Sequence, residues 1–177
     1  MDKTLRLFIA INFKAETRAV LAEWRDELQA VASRGRFSPD ENLHLTLAFL
    51  GECDNEQLEL VKSVLAETEF EAFEISVGRL GRFRRRGGDI WWAAAEESAE
   101  LIVVQGDLYS RLMAAGFALE EREFVPHITL GRNVKTTIEP WSVEPVYEAV
   151  SQIDLMLSEH IEGRQIYTVL ASKAALT

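Results

Sequence analysis

His-Leu-Thr-Leu at residues 44–47 and His-Ile-Thr-Leu at residues 127–130 share one pattern, in which a histidine and a threonine alternate with two aliphatic residues. The chain has only three histidines, so two of the three occupy the same local pattern. Side chains alternate between the two faces of a β-strand, which places the His and Thr of each motif on one face. The pattern therefore predicts two strands, each with a reactive face and a core face.

The segments around the two motifs repeat along the chain. The motif histidines lie 83 positions apart (127 minus 44). Shifted back by the same number, the apolar segment Ile90–Ala95 falls on the apolar segment Leu7–Asn12. The helical stripe that runs from Leu101 to Ala115 falls on the first predicted helix, Lys14–Ser33. Repetition at one separation indicates two related units, and we expect the two motif strands to face each other across a groove.

The other segments carry ordinary start and stop signals. Asp54 followed by Gln57 has the form of a capping box, which predicts a second helix after the first motif strand. Ser98 is the predicted N-cap of the third helix, and Gly35 is the predicted stop of the first helix. The further predicted strands are Phe70–Phe83, which leads into an arginine-rich turn, and two segments near Tyr147–Leu157 and Gln165–Ala171.

Length and composition favour a single globular domain. A chain of 177 residues with 47% apolar and 27% charged residues is typical of a soluble protein, and we expect one bilobal domain over residues 1–177. One cysteine, Cys53, excludes an internal disulfide and a cysteine-based zinc cluster, and it suits a reducing cytoplasm. The apolar stretch Leu5–Phe13 is too short to span a membrane. We therefore expect a cytoplasmic monomer with no membrane partner.

The charge distribution limits how this chain can meet a nucleic acid. A net charge of −10 repels a long phosphate backbone, so any recognition of RNA should be local. One basic cluster stands out against this background, and it ends in Gly87-Gly88, which predicts a hairpin turn. Its two open interpretations are a solvated loop and an anion-binding surface. The cluster consists of Arg79, Arg82, Arg84, Arg85 and Arg86.

Two histidines that face one substrate can serve as an acid and a base in the same turnover, because the unperturbed pKa of histidine lies near neutrality. Such a pair suits a phosphodiester with an adjacent leaving oxygen. One imidazole takes a proton from water as the water attacks phosphorus, and the other gives a proton to the departing ribose oxygen. Hydroxyls, backbone amides and an arginine can hold the phosphoryl oxygens as negative charge builds on them.

Two other uses of these histidines stay open at the level of sequence. Metal binding is one, although two histidines with no Asp, Glu or Cys in the same motifs make a poor ligand set, and we predict no metal and no cofactor. A purely structural role is the other, because a single His-x-Thr-x motif is a weak signal. Two copies at matching places in a repeated frame favour catalysis by His44 and His127. His160 lies outside the repeat, and we expect it to be an ordinary surface residue.

The paired motifs on a duplicated strand-helix frame resemble the 2H phosphoesterase superfamily. Within it, the chain resembles the RNA 2′,3′-cyclic phosphodiesterases, once called 2′-5′ RNA ligases, over nearly its whole length. The resemblance is carried by Arg6–Ala10 at the start, by the motif at 44–51 with its trailing Leu-Gly, by Leu80–Phe83 with Ile90–Ala93 as a middle hairpin, and by Pro126–Arg132 as the second motif. Arg84 is a departure, since relatives often have Pro after the Phe.

The resemblance implies an α+β fold of two pseudo-symmetric lobes, each an antiparallel sheet backed by helices, with a central cleft. It implies an enzyme that opens RNA 2′,3′-cyclic phosphate termini to 2′-phosphomonoesters, with His44 as proton donor to the leaving oxygen and His127 as the acceptor that activates water. The residues themselves permit either assignment of the two roles. The resemblance also implies that Thr46 and Thr129 hold the phosphate, and that some relatives join RNA ends through a 2′-5′ linkage.

Several alternatives remain at this point. Strict alternation puts Arg132 on the face opposite His127, but a bulge at Gly131 would re-aim it, so phosphate binding and a surface ion pair are both open. Phe8, Trp91 and Trp92 are candidates for stacking a terminal base, or for packing. The two adjacent tryptophans should face opposite sides of the sheet. The partner is an RNA 3′ end or a small cyclic nucleotide, and a noncatalytic nucleotide-binding or RNA-end-binding module is the alternative to an enzyme.

Overall fold

The computed structural model describes residues 3–177 and confirms the predicted α+β class. Three helices lie along a sheet whose strands follow the spatial order β7-β4-β5-β6-β3-β1-β8-β9, while β2 pairs with β6 beside this path. All pairings between these strands are antiparallel. The elements are β1 Leu5–Asn12, α1 Ala15–Val31, β2 Ala32–Phe37, β3 His44–Cys53, α2 Asn55–Glu67, β4 Phe73–Phe83, β5 Asp89–Ala95, α3 Ala99–Ala114, β6 His127–Thr136, β7 Trp141–Val150, β8 Gln152–Ile161 and β9 Arg164–Ala174.

The sheet narrows to one residue pair in its middle. Strands β3 and β6 are joined only where Leu45 pairs with Ile128. On one side of this junction lie β3, β1, β8 and β9, which we call half-sheet A. On the other side lie β6, β5, β4 and β7, together with β2, which we call half-sheet B. The pseudo-symmetry of two lobes about a central cleft stays a prediction, and the junction shows where such a boundary would fall.

The two faces of the sheet have different partners. Leu7, Ile9 and Ile11 of β1 belong to the main hydrophobic core, and so do Leu45 and Ile128. Residues of all three helices pack into the same core, so the helices cover this face. Phe8, Ala10 and Met156 form a separate small cluster with Tyr167 on the opposite face. Successive residues of β1 therefore point to opposite faces of the sheet. The helical core residues include Leu21, Leu28, Val61, Leu65, Leu101 and Leu108.

The predicted helix caps are present. The Asp54 side chain accepts a hydrogen bond from the Gln57 amide, and the Gln57 side chain accepts one from the Asp54 amide, which completes the capping box. Ser98 accepts from the Leu101 amide at the start of α3. The start of α1 is held from half-sheet B, because the buried Glu148 carboxylate of β7 accepts from the Lys14 amide at 2.9 Å. Among residues 3–177, no helix is both long and apolar enough to cross a bilayer.

The sequence prediction was wrong about the segment that follows α1. Gly35 was expected to stop the helix, but it lies inside β2, whose partner is β6. A Cβ at Gly35 would lie 2.8 Å from the Phe37 ring and 3.1 Å from Val134 Cγ2. This glycine therefore permits close approach of packed side chains instead of closing a helix. The helix ends earlier, at Val31, without a glycine.

A second correction concerns the segment Tyr147–Leu157, which was predicted as one strand. It contains the end of β7 and the start of β8, separated by Ser151 alone. The two strands belong to different half-sheets, since β7 pairs with β4 and β8 with β1. No glycine or proline marks this crossing, so local sequence carried no signal for it.

The separation of 83 positions predicted for the whole repeat is wrong by one residue for the first strand of each unit. In half-sheet A, Ala10 pairs with Thr46 and Asn12 with His44. In half-sheet B, the matching partners of Thr129 and His127 are Trp92 and Ala94. The first strands of the two units therefore correspond at a separation of 82 positions (92 minus 10), whereas the motif strands correspond at 83.

Candidate active site

The junction between β3 and β6 brings the two motifs together. Leu45 and Ile128 pair across it and point into the core. Their neighbours point to the other face, because side chains alternate along a strand. Continuing the antiparallel register places His44 across from Thr129 and Thr46 across from His127. Both histidines and both threonines thus lie on the helix-free face. Each histidine stands across from the threonine of the other motif, so the two histidines are diagonal to each other about the Leu45–Ile128 pair.

Each histidine is anchored in the same way. His44 Nδ1 lies 2.7 Å from the Asn42 carbonyl oxygen, and His127 Nδ1 lies 2.6 Å from the Val125 carbonyl oxygen. A carbonyl oxygen can only accept, so Nδ1 carries the proton in both neutral rings. Nε2 is then the free basic nitrogen. His44 Nε2 lies 3.0 Å from Thr46 Oγ1, whose hydroxyl donates to it when the ring is neutral.

The surroundings lower the pKa of both histidines. Burial is the main cause for His44, because loss of water disfavours the charged imidazolium, and the positive charges of His127 and Arg132 lower the pKa of His44 further. Burial is also the main cause for His127, with Arg132 and Arg122 lowering its pKa further. In each case the anchoring carbonyl opposes the change by favouring the protonated ring. Both rings are therefore available as neutral bases near neutral pH.

A β-bulge follows each motif. Successive residues Ile9 and Ala10 pair with Ala48 and Thr46, so Leu47 is an extra residue in β3. Successive residues Trp91 and Trp92 pair with Gly131 and Thr129, so Leu130 is an extra residue in β6. The next residue in each strand is also buried, which leaves two consecutive side-chain positions on the core side. Each bulge therefore reverses the alternation of the strand beyond it.

The bulges aim Phe49 and Arg132 at the histidine-bearing face. A Cβ at Gly131 would meet Phe37 and Val134 on the core side, so the following residue, Arg132, points to the other side. Its charge acts on both histidines. The structure thus favours the bulged placement of Arg132 over strict alternation. In β3 the corresponding residue is Phe49, which pairs with Phe8 and is 48% exposed.

Aromatic rings flank both histidines. The His44 ring centroid lies 4.9 Å from that of Phe8 and 5.2 Å from that of Tyr167. The His127 centroid lies 5.2 Å from that of Phe83 and 6.4 Å from that of Trp92. Phe8 is only 4% exposed, so its contacts favour packing against His44 over stacking on a base. Its predicted role in substrate binding stays a prediction.

The two adjacent tryptophans separate as predicted. Trp91 is fully buried in the main core, where the Arg82 guanidinium lies over its ring at 5.4 Å. Trp92 lies outside that core cluster, near Phe83 and His127.

The arginines of the β4–β5 hairpin also divide between the two faces of the sheet. Arg82 is a structural residue paired with Glu139, whereas Arg79 lies over Trp92 and Arg85 over Phe83 at the histidine-bearing face.

The two residues whose carbonyl oxygens anchor the histidines have different surroundings. Asn42 is buried in a short 3₁₀ turn, Asp40–Asn42, and its side chain donates to the Gln165 carbonyl oxygen of β9 at 2.9 Å. The residue that plays the same backbone role for His127 is Val125, which is exposed in an irregular segment and has no side-chain hydrogen-bonding group. The turn that anchors His44 therefore has a side-chain hydrogen bond to β9, whereas Val125 has no side-chain group that could make one.

Sequence reasoning missed five residues around the site. Phe49, Tyr167 and Phe83 were overlooked because an aromatic residue in a strand usually serves packing. Asn42 contributes through its backbone carbonyl, which no side-chain pattern reveals. Arg85 was one member of a charged run, and only its position over Phe83 separates it from its neighbours. The β6 bulge includes Gly131, which was its one signal in the sequence, whereas the β3 bulge at Leu47-Ala48 has no glycine to mark it.

Comparison with known proteins gives a consistent result. The family model described as LigT like Phosphoesterase matches residues 11–92. A protein of Thermotoga maritima named RNA 2′,3′-cyclic phosphodiesterase is 31% identical, and the alignment covers 94% of this chain and 93% of that protein. A protein of the same name from Escherichia coli is 32% identical, with 96% of each chain covered.

Solved structures agree with the sequence comparison. The crystal structure of Escherichia coli LigT complexed with 3′-AMP superposes with a TM-score of 0.88 at 29% identity, covering 98% of this chain and 99% of that one. The resemblance predicted from those motifs is confirmed, and this chain belongs to the LigT-like phosphoesterases of the 2H superfamily, the family of the RNA 2′,3′-cyclic phosphodiesterases.

Proposed function

We propose that this protein hydrolyses the 2′,3′-cyclic phosphate at RNA 3′ ends to a 2′-phosphomonoester, with His44 and His127 as the acid and base and with no metal ion. The observation that carries the proposal is the pair of histidines on one sheet face, each with Nδ1 held by a backbone carbonyl, which leaves Nε2 as the basic nitrogen of each ring. The names of the relatives supply the substrate class.

The reaction uses the two rings in complementary protonation states. One neutral Nε2 accepts a proton from water as the water oxygen bonds to phosphorus. The bond from phosphorus to O3′ breaks, and the other histidine, protonated, gives its proton to O3′. A bound phosphate anion raises the pKa of a nearby imidazole, which provides the protonated ring despite the low pKa of the free state. By family likeness His44 is the donor and His127 the acceptor.

Thr46, Thr129 and Arg132 are the proposed holders of the phosphoryl oxygens. The two hydroxyls lie on the same face as the rings, and the Arg132 charge is directed there by the bulge. Negative charge on the phosphoryl oxygens grows as water attacks, so positive and hydrogen-bonding groups placed in advance lower the barrier. Among residues 3–177, no three side chains of the His, Cys, Asp and Glu types cluster as metal ligands.

The deciding experiment presents a short RNA with a terminal 2′,3′-cyclic phosphate in the presence of EDTA and identifies the monoester formed. We expect a 2′-phosphate. His44→Ala and His127→Ala should each lower kcat by about 10² or more, because each removes one proton transfer. His160→Ala is the matched control, since this third histidine is exposed on the β8–β9 hairpin. Normal turnover by either motif variant, or loss of turnover in EDTA, would contradict the mechanism.

Two narrower expectations accompany the proposal. The same site should also catalyse ligation, in which the 5′-hydroxyl of a second RNA takes the place of water. Its oxygen bonds to phosphorus as the bond to O3′ breaks, its proton passes to the basic histidine, O3′ takes the proton of the other histidine, and a 2′-5′ linkage results. Small 2′,3′-cyclic nucleotides should also be substrates, since the chemistry involves only the terminal ribose phosphate. Cytoplasmic location and the monomeric state stay predictions, and size-exclusion chromatography tests the second.

A further inference from the structure

An unusual charge arrangement lies beside the candidate active site, on strands β2 and β6. Arg36 is paired directly with Arg132, and Arg34 is paired directly with Lys135. Like charges that face each other across two antiparallel strands destabilise the pairing. All four side chains are exposed, and within the described residues 3–177 none of them forms an ion pair with a carboxylate.

These cations share the face that carries the histidines. Gly35 and Phe37 lie on the core side of β2, as the contacts of Gly35 and Gly131 with the Phe37 ring show. Arg34 and Arg36 alternate with them and therefore point to the other side. Arg132 stands at one end of this row and acts electrostatically on both histidines. The row thus starts at the site and leads away from it along β2.

The β4–β5 turn extends the row. The Arg34 guanidinium donates to the Gly87 carbonyl oxygen, which ties the turn to β2. Arg84, Arg85 and Arg86 are exposed on this turn, and within residues 3–177 none of the three forms an ion pair. The carboxylate in this region, Asp89, is engaged by Arg82 and by the Arg85 amide. We call the seven residues the basic row: Arg34, Arg36, Arg84, Arg85, Arg86, Arg132 and Lys135.

Some cations outside the basic row have carboxylate partners, whereas none of the seven members of the row has one within residues 3–177. Arg25, Lys62 and Arg111 each pair with a carboxylate. A protein with 29 acidic residues and a net charge of −10 has ample carboxylates to neutralise its arginines. The basic row has no carboxylate partners within residues 3–177 and contains two like-charged pairs, so an anion bound from outside the chain would stabilise it. The row has several charges in line, which matches a polyanion better than one phosphate.

Resting on the proposed function, we infer that the basic row binds the phosphate backbone of the RNA strand that leads to the cyclic end. The terminal phosphate then lies at His44 and His127, and the preceding nucleotides run past Arg132 along β2 toward the β4–β5 turn. The row distinguishes an RNA end from a free cyclic nucleotide, which has no preceding phosphates to offer. Recognition is local, in keeping with the acidic charge of the remaining surface.

The test uses Arg34→Ala/Arg36→Ala, which leaves Arg132 in place. Its affinity for a labelled oligonucleotide ending in a 2′-phosphate, measured by fluorescence anisotropy at low salt, should fall about tenfold. The slope of log affinity against log salt should become less negative by about 1.4, the value for two lost contacts to a single strand. Turnover of a 2′,3′-cyclic mononucleotide should keep its kcat/KM. Arg18→Ala/Lys62→Ala is the control, since it removes the same amount of charge from helices α1 and α2, which lie on the opposite side of the sheet from the histidines.

The outcomes separate this inference from the proposed function. Equal oligonucleotide affinity and salt slope for the double variant and the wild type would overturn the basic row, even if the cyclic end is hydrolysed normally. Tight, row-dependent RNA binding without hydrolysis of a cyclic end would overturn the proposed function and leave the row standing. Equal losses for the oligonucleotide and the mononucleotide would also overturn the row as an RNA-specific surface. The melting temperature of the double variant should be unchanged or higher, because the two substitutions remove the like-charge pairs Arg34–Lys135 and Arg36–Arg132.

Discussion

At the scale of single residues, two backbone carbonyls decide which nitrogen of each motif histidine is available. The Asn42 and Val125 oxygens each hold an Nδ1 proton, so both rings present Nε2. The sequence revealed the two histidines because a repeated rare residue is a strong signal. It did not reveal the carbonyls, because every residue has one and only the folded chain shows which is in reach. The role of Arg132 likewise depended on a bulge whose position no local pattern settled.

The lowered histidine pKa values make a prediction about anion binding. NMR titration of the free protein should give a pKa below 6.5 for both His44 and His127, as burial disfavours the charged ring. Inorganic phosphate should raise at least one of these values, because its negative charge stabilises the imidazolium. By linkage, phosphate should then bind more tightly as the pH falls through the pKa of the phosphate-bound histidine toward the lower pKa of the free one. Phosphate affinity that is the same across this range would contradict a histidine pair at the anion site.

Asn42 should act as a positioning residue for His44. Asn42→Ala removes the hydrogen bond to the Gln165 carbonyl and loosens the turn whose backbone oxygen anchors the ring. We expect kcat to fall several-fold with little change in KM, and the pH profile of kcat to shift, because the carbonyl favours the protonated His44. Asn42→Asp, which keeps the side-chain shape without the NH₂ donor, should behave like the alanine variant. An unchanged pH profile in both variants would reduce Asn42 to a structural residue.

At the scale of elements, prediction succeeded where one segment contains its own signal. The capping box at Asp54 and the N-cap Ser98 are local patterns, and both are present. Strand β2 and the β7–β8 boundary were missed because their pairing partners lie far away in sequence. Arg34 and Arg36 alternate with Gly35 and Phe37 as in a strand, but the glycine carried a stronger and misleading helix-stop signal.

The close contact between β4 and β5 predicts a strong effect at Gly81. A Cβ there would clash with Trp92 Cη2, so Gly81→Ala must displace the indole that packs near Phe83 and His127. We expect a loss of about 1–3 kcal/mol in unfolding free energy, typical of overpacking, and a change in tryptophan fluorescence. Urea denaturation measures the first effect.

Gly106→Ala is the matched control for this substitution. Gly106 is exposed within α3, and a Cβ there would meet nothing within 4 Å. Alanine should stabilise this helix by up to about 1 kcal/mol, because it is the better helix former. Loss of stability in the Gly106 variant, or none in the Gly81 variant, would contradict the packing described for these two glycines.

At the scale of the whole molecule, neither half-sheet is a continuous piece of chain. The chain passes from half-sheet A to half-sheet B after β1, returns at β3, leaves again after β3 and returns at β8. The duplicated pattern in the sequence suggested two consecutive units, and it gave no indication of this interleaving. The repeat therefore predicted which residues correspond but not which strands share a half-sheet.

This threading predicts a single unfolding transition. Far-UV circular dichroism and tryptophan fluorescence should give coincident urea curves, because a half-sheet that unfolds would pull segments out of the other. The fluorescence reports on half-sheet B, since Trp91, Trp92 and Trp141 lie in it and Trp24 lies in α1, which packs against β2, β6 and β7. Circular dichroism reports on the strands and helices of both half-sheets. Two separated transitions would show that the halves are energetically independent.

The single pair Leu45–Ile128 has a further consequence for how this protein tolerates change. His44 and His127 each directly precede a member of that pair, so the distance between the two imidazoles is set by a short stretch of backbone. Substitutions that shift helices or surface loops would carry both rings along together. Substitutions far from the motifs should therefore leave the distance between the two imidazole rings unchanged. A change in that distance would need an insertion or deletion within the four-residue motifs themselves.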